Sequence, residues 1–139
     1  MAQQVREIMT SDPVTVSERT PITEVARLMR ERNIGDIIVG DADHVRGLVT
    51  DRDLVIRAIA EHRDPDATTV ADVCSTDLIT CSPQDAVDEA VRLMREHALR
   101  RLPVVDEGHL VGALSLGDLA VEKDPRSALA DISAAQPNR

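Results

Sequence analysis

The sequence predicts an α/β (α+β) fold made of two βαββα repeats packed about a pseudo-twofold axis. The first observation is an internal repeat: with Val5 aligned on Val70, the two halves match without a gap through Leu54 and Leu119, and sixteen aligned positions are identical. The second is that strand-like and helix-like segments follow the same order in both halves. A long unit present only twice favours a packed pair over an open repeat array.

The first repeat shows the pattern most clearly. Thr20-Pro21 is typical of an N-cap and a first-turn proline, and apolar residues then recur at helical spacing until Asn33, where the helix is expected to stop. A polar turn between two β-rich runs predicts a hairpin. The expected segments are a helical turn at 5–9, strands at 13–16, 36–39 and 45–49, and helices from 20 and 51. The apolar face of the second helix is expected to consist of Leu54, Val55, Ala58 and Ile59.

A polar, proline-bearing stretch at 62–69 joins the repeats, and the same order of segments then returns. The expected segments are strands at 78–81, 102–105 and 110–115, a helix capped by Asp85, and a final helix from Leu116 that Pro125 shortens. We expect the domain boundaries to be 1–66 for repeat 1 with its linker, 67–124 for repeat 2, and 125–139 for a partly disordered tail with a helical turn at 127–132.

The composition excludes several classes of function. The net charge is −9, the sequence pI is near 4.8, and Phe, Tyr and Trp are all absent. Nucleic acid is therefore not an expected partner, because its binding needs a basic surface and often aromatic stacking. No apolar stretch is long enough to span a bilayer and the N-terminus lacks a signal-peptide core, so we expect a cytoplasmic protein without membrane contact.

No residue grouping indicates an enzyme. Cys74 and Cys81 are too far apart for a Cys-x-x-Cys pair, and no second cysteine pair completes a structural zinc site. No nucleophile motif and no phosphate-cradling loop with a lysine occur. We expect no enzymatic activity, no metal and no cofactor. A redox or metal sensor that uses the two cysteines and the histidines is an alternative.

The most informative motif lies where the last strand of each repeat meets its second helix. Thr50 and Asp53 in the first repeat, and Ser115 and Asp118 in the second, complete a Gly-x-x-Thr/Ser-x-x-Asp pattern. Residues three apart at a helix start share a face, so the hydroxyl and the carboxylate can point in the same direction. The same spacing is also that of an ordinary capping box, in which the carboxylate satisfies backbone amides.

This tandem arrangement resembles the CBS-domain pair, or Bateman module, over residues 5 to about 121. The resemblance rests on the doubled motif and on Leu102-Pro103-Val104-Val105, which is similar to the family's hydrophobic-Pro-Val-Val strand. It implies a regulatory module that binds an adenine nucleotide (AMP, ADP or ATP) in clefts between the repeats and acts on an unknown protein partner. The Thr-Asp-Arg-Asp sequence at 50–53 is also similar to hypoxic response proteins, which makes a nucleotide-free stress-response or interaction module an alternative.

The resemblance also implies roles for individual residues. Thr50 with Asp53, and Ser115 with Asp118, would hold the ribose, and the neighbouring strands would frame the adenine. The implied nucleotide-binding residues are Thr15, Val16, Ile38, Thr50, Arg52, Asp53, Thr80, Arg100, Arg101, Leu102, Pro103, Ser115 and Asp118.

The two predicted sites differ in charge. Arg100-Arg101 stands in the second repeat where the first has Gly35-Asp36. We expect a phosphate to prefer the site centred on Asp118, because arginine suits bidentate phosphate contact. Pairing of these arginines with surface carboxylates is the alternative.

The resemblance finally implies a homodimer, since similar modules pair through their helices. Two apolar stripes are candidates for its interface, with core packing as the alternative: Ile22-Val25-Met29 and Val87-Ala90-Met94.

Overall fold

The computed structural model describes residues 3–123, which fall into two compact units. The first unit is Val14–Leu78, and the second combines the N-terminal segment up to Pro13 with the chain from Ile79 onward. Each unit holds a three-stranded sheet with helices, so the predicted mixed α/β class is confirmed. The predicted tail at 125–139 lies outside the described residues.

The elements follow the predicted order closely. The strands are β1 (Thr10–Ser11), β2 (Thr15–Val16), β3 (Asp36–Gly40), β4 (Val45–Thr50), β5 (Arg101–Asp106) and β6 (His109–Ser115). The α-helices are α1 (Ile22–Arg32), α2 (Asp51–Asp53), α3 (Val87–Glu96) and α4 (Leu116–Lys123). Two 3₁₀ turns lie at Val5–Glu7 and Val70–Asp72, and a π-helix at Leu54–Ile59 continues α2. None of the helices described between residues 3 and 123 is long and apolar enough to cross a membrane.

The sheet of the first unit has the order β2-β3-β4, with β2 parallel and β4 antiparallel to β3. Alternate residues of β3 face the helices, so Ile37 and Val39 join one apolar cluster with Val25 and Met29 of α1. The antiparallel pairing of β3 with β4 confirms the predicted hairpin of this unit, and the strand ends lie within a residue of the predicted ones.

The sheet of the second unit has the order β1-β6-β5, and all its pairings are antiparallel. The predicted strand at 78–81 is not a strand: it is reduced to a single parallel bridge between Cys81 and Val104. β1, which the sequence pattern did not predict, pairs with β6 at the other edge of the sheet.

The first segment of each repeat packs in the unit formed by the rest of the other repeat. Val5 is fully buried in the core of the second unit with Val87, and Val70 is fully buried in the core of the first unit with Val25. The compact units therefore divide the chain at Pro13 and Leu78, whereas the predicted repeat boundary lies at residue 66. Each repeat completes its core with a segment that it does not itself contain.

Close backbone approach explains two glycines at matching positions. Leu48 and Ser75 exchange backbone hydrogen bonds of 3.2 and 2.9 Å, and a Cβ at Gly47 would overlap the Ser75 carbonyl oxygen. At Gly112 a Cβ would lie 2.9 Å from the Thr10 carbonyl oxygen. Both units need a glycine here because another backbone segment, at Ser75 in the first unit and at Thr10 in the second, pairs closely with the strand at that point.

The helix starts differ from the predicted caps. α1 has Pro21 at the N-cap without a side-chain cap, and the Thr20 hydroxyl instead lies 3.1 Å from the Ser17 hydroxyl. Before α3, the Asp85 carboxylate accepts a hydrogen bond of 2.9 Å from the Ser82 N–H. Both side chains lie one residue too early to cap the helix, and they stabilise the preceding turn instead.

In the second helix of the first repeat, the predicted apolar face is only partly buried. Leu54 and Ala58 are buried, but Val55 and Ile59 are 50% and 63% exposed, as is Ile56 to 47%. The backbone here is wound as a π-helix, with the Ala60 N–H donating to the Val55 carbonyl oxygen at 2.9 Å. Only residues 54 and 58 face the core, so the rest of the predicted face is surface.

Candidate functional site

The predicted hydroxyl–carboxylate motif of the first unit forms where β4 passes into α2. The Asp53 N–H donates to Thr50 Oγ1 at 3.0 Å, and the Thr50 N–H donates to Asp53 Oδ2 at 2.9 Å. The Asp51 N–H also donates to the Gly35 carbonyl oxygen at 2.9 Å. This reciprocal capping box orients the Thr50 hydroxyl and the Asp53 carboxylate at one turn.

The second unit repeats this geometry between β6 and α4. The Asp118 N–H donates to Ser115 Oγ at 3.1 Å, and the Ser115 N–H donates to Asp118 Oδ2 at 3.1 Å. The Leu116 N–H donates to the Arg100 carbonyl oxygen at 2.8 Å. The capping interpretation of the motif therefore holds in both units, and it uses Oδ2 of each aspartate.

Strand register places a different charge beside each hydroxyl. Asp36 of β3 is the register partner of Thr50, whereas Arg101 of β5 is the register partner of Ser115. The neighbourhood of Thr50 is therefore acidic, and that of Ser115 includes a guanidinium. This difference was expected from the sequence alignment, and the hairpins place it directly across the strand pair.

The remaining predicted site residues differ in how far their side chains are exposed. Thr15 is the register partner of Ile38, so the first unit brings together two residues predicted to frame the base. The side chains of Val16 and Leu102 are 6% and 0% exposed and belong to the hydrophobic cores, so only their backbone can meet a ligand. The side chains of Ile38 and Pro103 are also buried; Thr80 and Arg101 are half-buried, and Arg52 and Arg100 are exposed.

One charged neighbour of the motif was missed from the sequence. Arg57 Nε lies 3.6 Å from Asp53 Oδ1, and Arg57 Nη1 lies 3.5 Å from the Val73 carbonyl oxygen. The i,i+4 spacing of Asp53 and Arg57 is the signal that could have identified this pair. Both oxygens of the Asp53 carboxylate thus have a partner within the first unit.

The thiols do not support a redox site. Cys74 and Cys81 are 8% and 5% exposed. Burial raises the pKa of the Cys81 thiol to about 12, and the nearby Asp85 charge adds to this. Burial also raises the pKa of the Cys74 thiol, as does the charge of Asp53. Since the thiolate is the reactive form, neither cysteine has the environment of a redox sensor.

The described residues do not fit a metal ion either. Between residues 3 and 123, no three side chains of His, Cys, Asp or Glu are grouped so that they could hold one. A metal-sensing site would need at least three such ligands in common structural geometries.

Comparison with known proteins agrees with the fold and the doubled motif. The model of the CBS domain matches residues 5–59 and 70–123. The CBS domain-containing protein YhcV of Bacillus subtilis (strain 168) is 41% identical over 133 residues, which cover 93% of this chain and 94% of that protein. Hypoxic response protein 1 of Mycobacterium tuberculosis is 35% identical over 116 residues, covering 83% of this chain and 81% of that protein.

A solved structure of Hypoxic Response Protein I with two coordinated zinc ions superposes with a TM-score of 0.78 at 34% identity, covering 85% of this chain and 97% of that one. The similarity extends over both repeats, and both carry the strand-to-helix motif. The chain therefore belongs to the CBS-domain family and is a CBS-pair regulatory module.

Proposed function

We propose that this chain senses an adenine nucleotide, AMP, ADP or ATP, and passes its occupancy on to a partner protein. The observation that carries the proposal is the turn at Ser115 and Asp118, which presents a hydroxyl and a carboxylate at the start of a helix. The backbone uses Oδ2 of Asp118, and a carboxylate has further lone pairs that can accept hydrogen bonds from a ribose diol. The cap thus positions Asp118 for a ligand without excluding one.

Charge favours the second unit as the main site. Arg101 lies across the strand pair from Ser115, and it can attract the phosphate of a nucleotide whose ribose is held at this turn. In the first unit Asp36 takes the matching position and repels phosphate. The proposed order of affinity is therefore the site of Asp118 first and the site of Asp53 second.

Isothermal titration with AMP, ADP and ATP tests this proposal. Asp118→Asn keeps an oxygen for the cap but removes the charge. A charge-assisted hydrogen bond contributes about 1.5–3 kcal/mol, so its loss should weaken binding roughly ten- to 150-fold. Asp53→Asn is the matched control in the other repeat and should matter less. The opposite ranking would refute the site assignment, and an affinity unchanged from that of the unmodified chain in both variants would leave the aspartates as caps only.

Arg101→Gln separates phosphate recognition from base recognition. It should weaken ATP and ADP binding more than adenosine binding, because it removes a cation and leaves the strands that would frame the base intact. An equal loss for all three ligands would contradict a phosphate role for Arg101.

A thermal-shift screen distinguishes the alternative functions. A ligand of the folded state raises stability by about 2.7 kcal/mol at a hundredfold excess over its Kd. A shift with nucleotides supports the proposal. A shift with zinc, S-adenosylmethionine or NAD alone would replace it, and the absence of any shift would favour a nucleotide-free stress-response or interaction module.

We further propose a homodimer, with a different surface from the predicted one. The stripes on α1 and α3 are core, since Ile22, Val25, Met29, Val87, Ala90 and Met94 are all buried. The exposed apolar side chains of the π-helix support the proposal instead: Val55, Ile56 and Ile59. Light scattering after size exclusion should give a dimer for the unmodified chain and a monomer for Ile56→Glu. A dimer in that variant would rule out this surface.

A further inference from the structure

The carboxylate of Asp53 is held from two sides within the first unit. Oδ2 accepts from the Thr50 N–H at 2.9 Å, and Oδ1 lies 3.6 Å from Arg57 Nε. Arg57 Nη1 also lies 3.5 Å from the Val73 carbonyl oxygen, which gives the guanidinium a second contact in this unit. The Asp53 side chain is only 17% exposed. A ligand hydroxyl that approaches this carboxylate therefore meets an arginine already placed against Oδ1.

The second repeat has a different residue at the position of Arg57. At its turn, Asp118 Oδ2 accepts from the Ser115 N–H at 3.1 Å. The residue aligned with Arg57 in the second repeat is Glu122, so the position four residues after the aspartate carries the opposite charge. The two repeats share the capping box but differ in what else competes for the carboxylate.

We propose that Arg57 is a selectivity residue that lowers the nucleotide affinity of the first-repeat site by competing for Oδ1 of Asp53. This inference rests on the proposed nucleotide function. Because the backbone already uses Oδ2, Oδ1 is the more open oxygen for a ribose hydroxyl, and to reach it the hydroxyl must displace or share the guanidinium. The second repeat has Glu122 in place of Arg57, so the chain directs the nucleotide to the site of Asp118.

The effect is expected to be small but measurable. Arg57 is 53% exposed, so solvent screens its pairing with Asp53. Exposed i,i+4 ion pairs of this kind contribute little free energy. We therefore expect a change in ligand affinity of about two- to fivefold. The larger part of the difference in affinity between the two sites is then due to the charges of Asp36 and Arg101.

The test uses AMP in isothermal titration with the full chain carrying Asp118→Asn, which weakens the second-repeat site so that binding at the first-repeat site can be measured. Adding Arg57→Gln should raise AMP affinity two- to fivefold. Arg63→Gln is the matched control: Arg63 lies in the same unit, its Nη1 is 4.0 Å from Asp72, and its loss changes the net charge equally. It should leave the affinity unchanged.

The reverse exchange tests the second site. Glu122→Arg in the otherwise unmodified chain should lower AMP affinity two- to fivefold. Unchanged or weaker AMP binding after Arg57→Gln, in protein whose melting temperature is preserved, would overturn the selectivity role. Absence of AMP binding to the unmodified chain would overturn the proposed function itself, which is a separate result from the same titrations.

Discussion

Ala98 holds a backbone conformation that suits glycine or asparagine better than alanine. Its φ is 53°, in the left-handed region, directly after α3. The Leu99 N–H donates to the Met94 carbonyl oxygen at 2.9 Å, which is the closing bond of a Schellman-type helix end. At the aligned position of the first repeat Asn33 has φ 54° and ends α1 in the same way. The two repeats thus place different residues in one conformation.

The structure sets the expected size of the effect. An L-residue with a Cβ loses roughly 1–2 kcal/mol in the left-handed region, and glycine removes that strain at an entropic cost of about 0.5–1 kcal/mol. Ala98→Gly should therefore stabilise the protein by about 0.5–1 kcal/mol. Asn33→Ala should destabilise it by a similar amount, since asparagine tolerates this conformation better. For a chain of this size the shifts in Tm are about 2–4 °C.

Urea denaturation followed by circular dichroism measures these changes, with the midpoint moving and the m-value staying constant. Ala60→Gly is the matched control, because Ala60 has φ −64° and glycine should destabilise the chain there. Opposite signs for Ala98→Gly and Ala60→Gly are the expected result. Destabilisation by Ala98→Gly would refute the argument from backbone strain.

Three further predictions follow from other parts of the fold. Gly47→Ala should lower the free energy of unfolding by about 2–4 kcal/mol in urea titration, because its Cβ would break the two backbone hydrogen bonds to Ser75, and an unchanged midpoint would contradict this. The Cys81 thiol, with its pKa raised to about 12 from 9.0, should resist iodoacetamide in native protein at pH 8. Since its folded-state pKa is the higher one, its contribution to stability is complete below about pH 9 and is lost as pH rises toward 12; rapid native alkylation would argue against this burial. Glu107 and Gly108 form the two-residue turn of the second hairpin, with φ of 51° and 83°. Because asparagine suits a positive φ in such turns, Glu107→Asn should raise Tm by about a degree or more, and a lower Tm in calorimetry would contradict this expectation.

The amino-acid sequence determined those features whose causes are local. The hairpins, the helix end at Asn33 and the doubled hydroxyl–carboxylate turn are all as predicted, because a period of two, a left-handed cap and a three-residue spacing act over a few residues. The charge contrast beside the motif also followed from alignment, since a repeat without gaps places Asp36 and Arg101 at one position.

Tertiary structure decided which segment completes which core. Val5 and Val70 carry the same local pattern, yet each packs in the unit of the other repeat, and no periodicity near them encodes that exchange. It also decided which apolar side chains of the π-helix remain exposed and that Arg57 restrains Asp53. These features depend on contacts between distant residues and on small shifts in helical winding. Sequence spacing limits such contacts, but only packing selects among them.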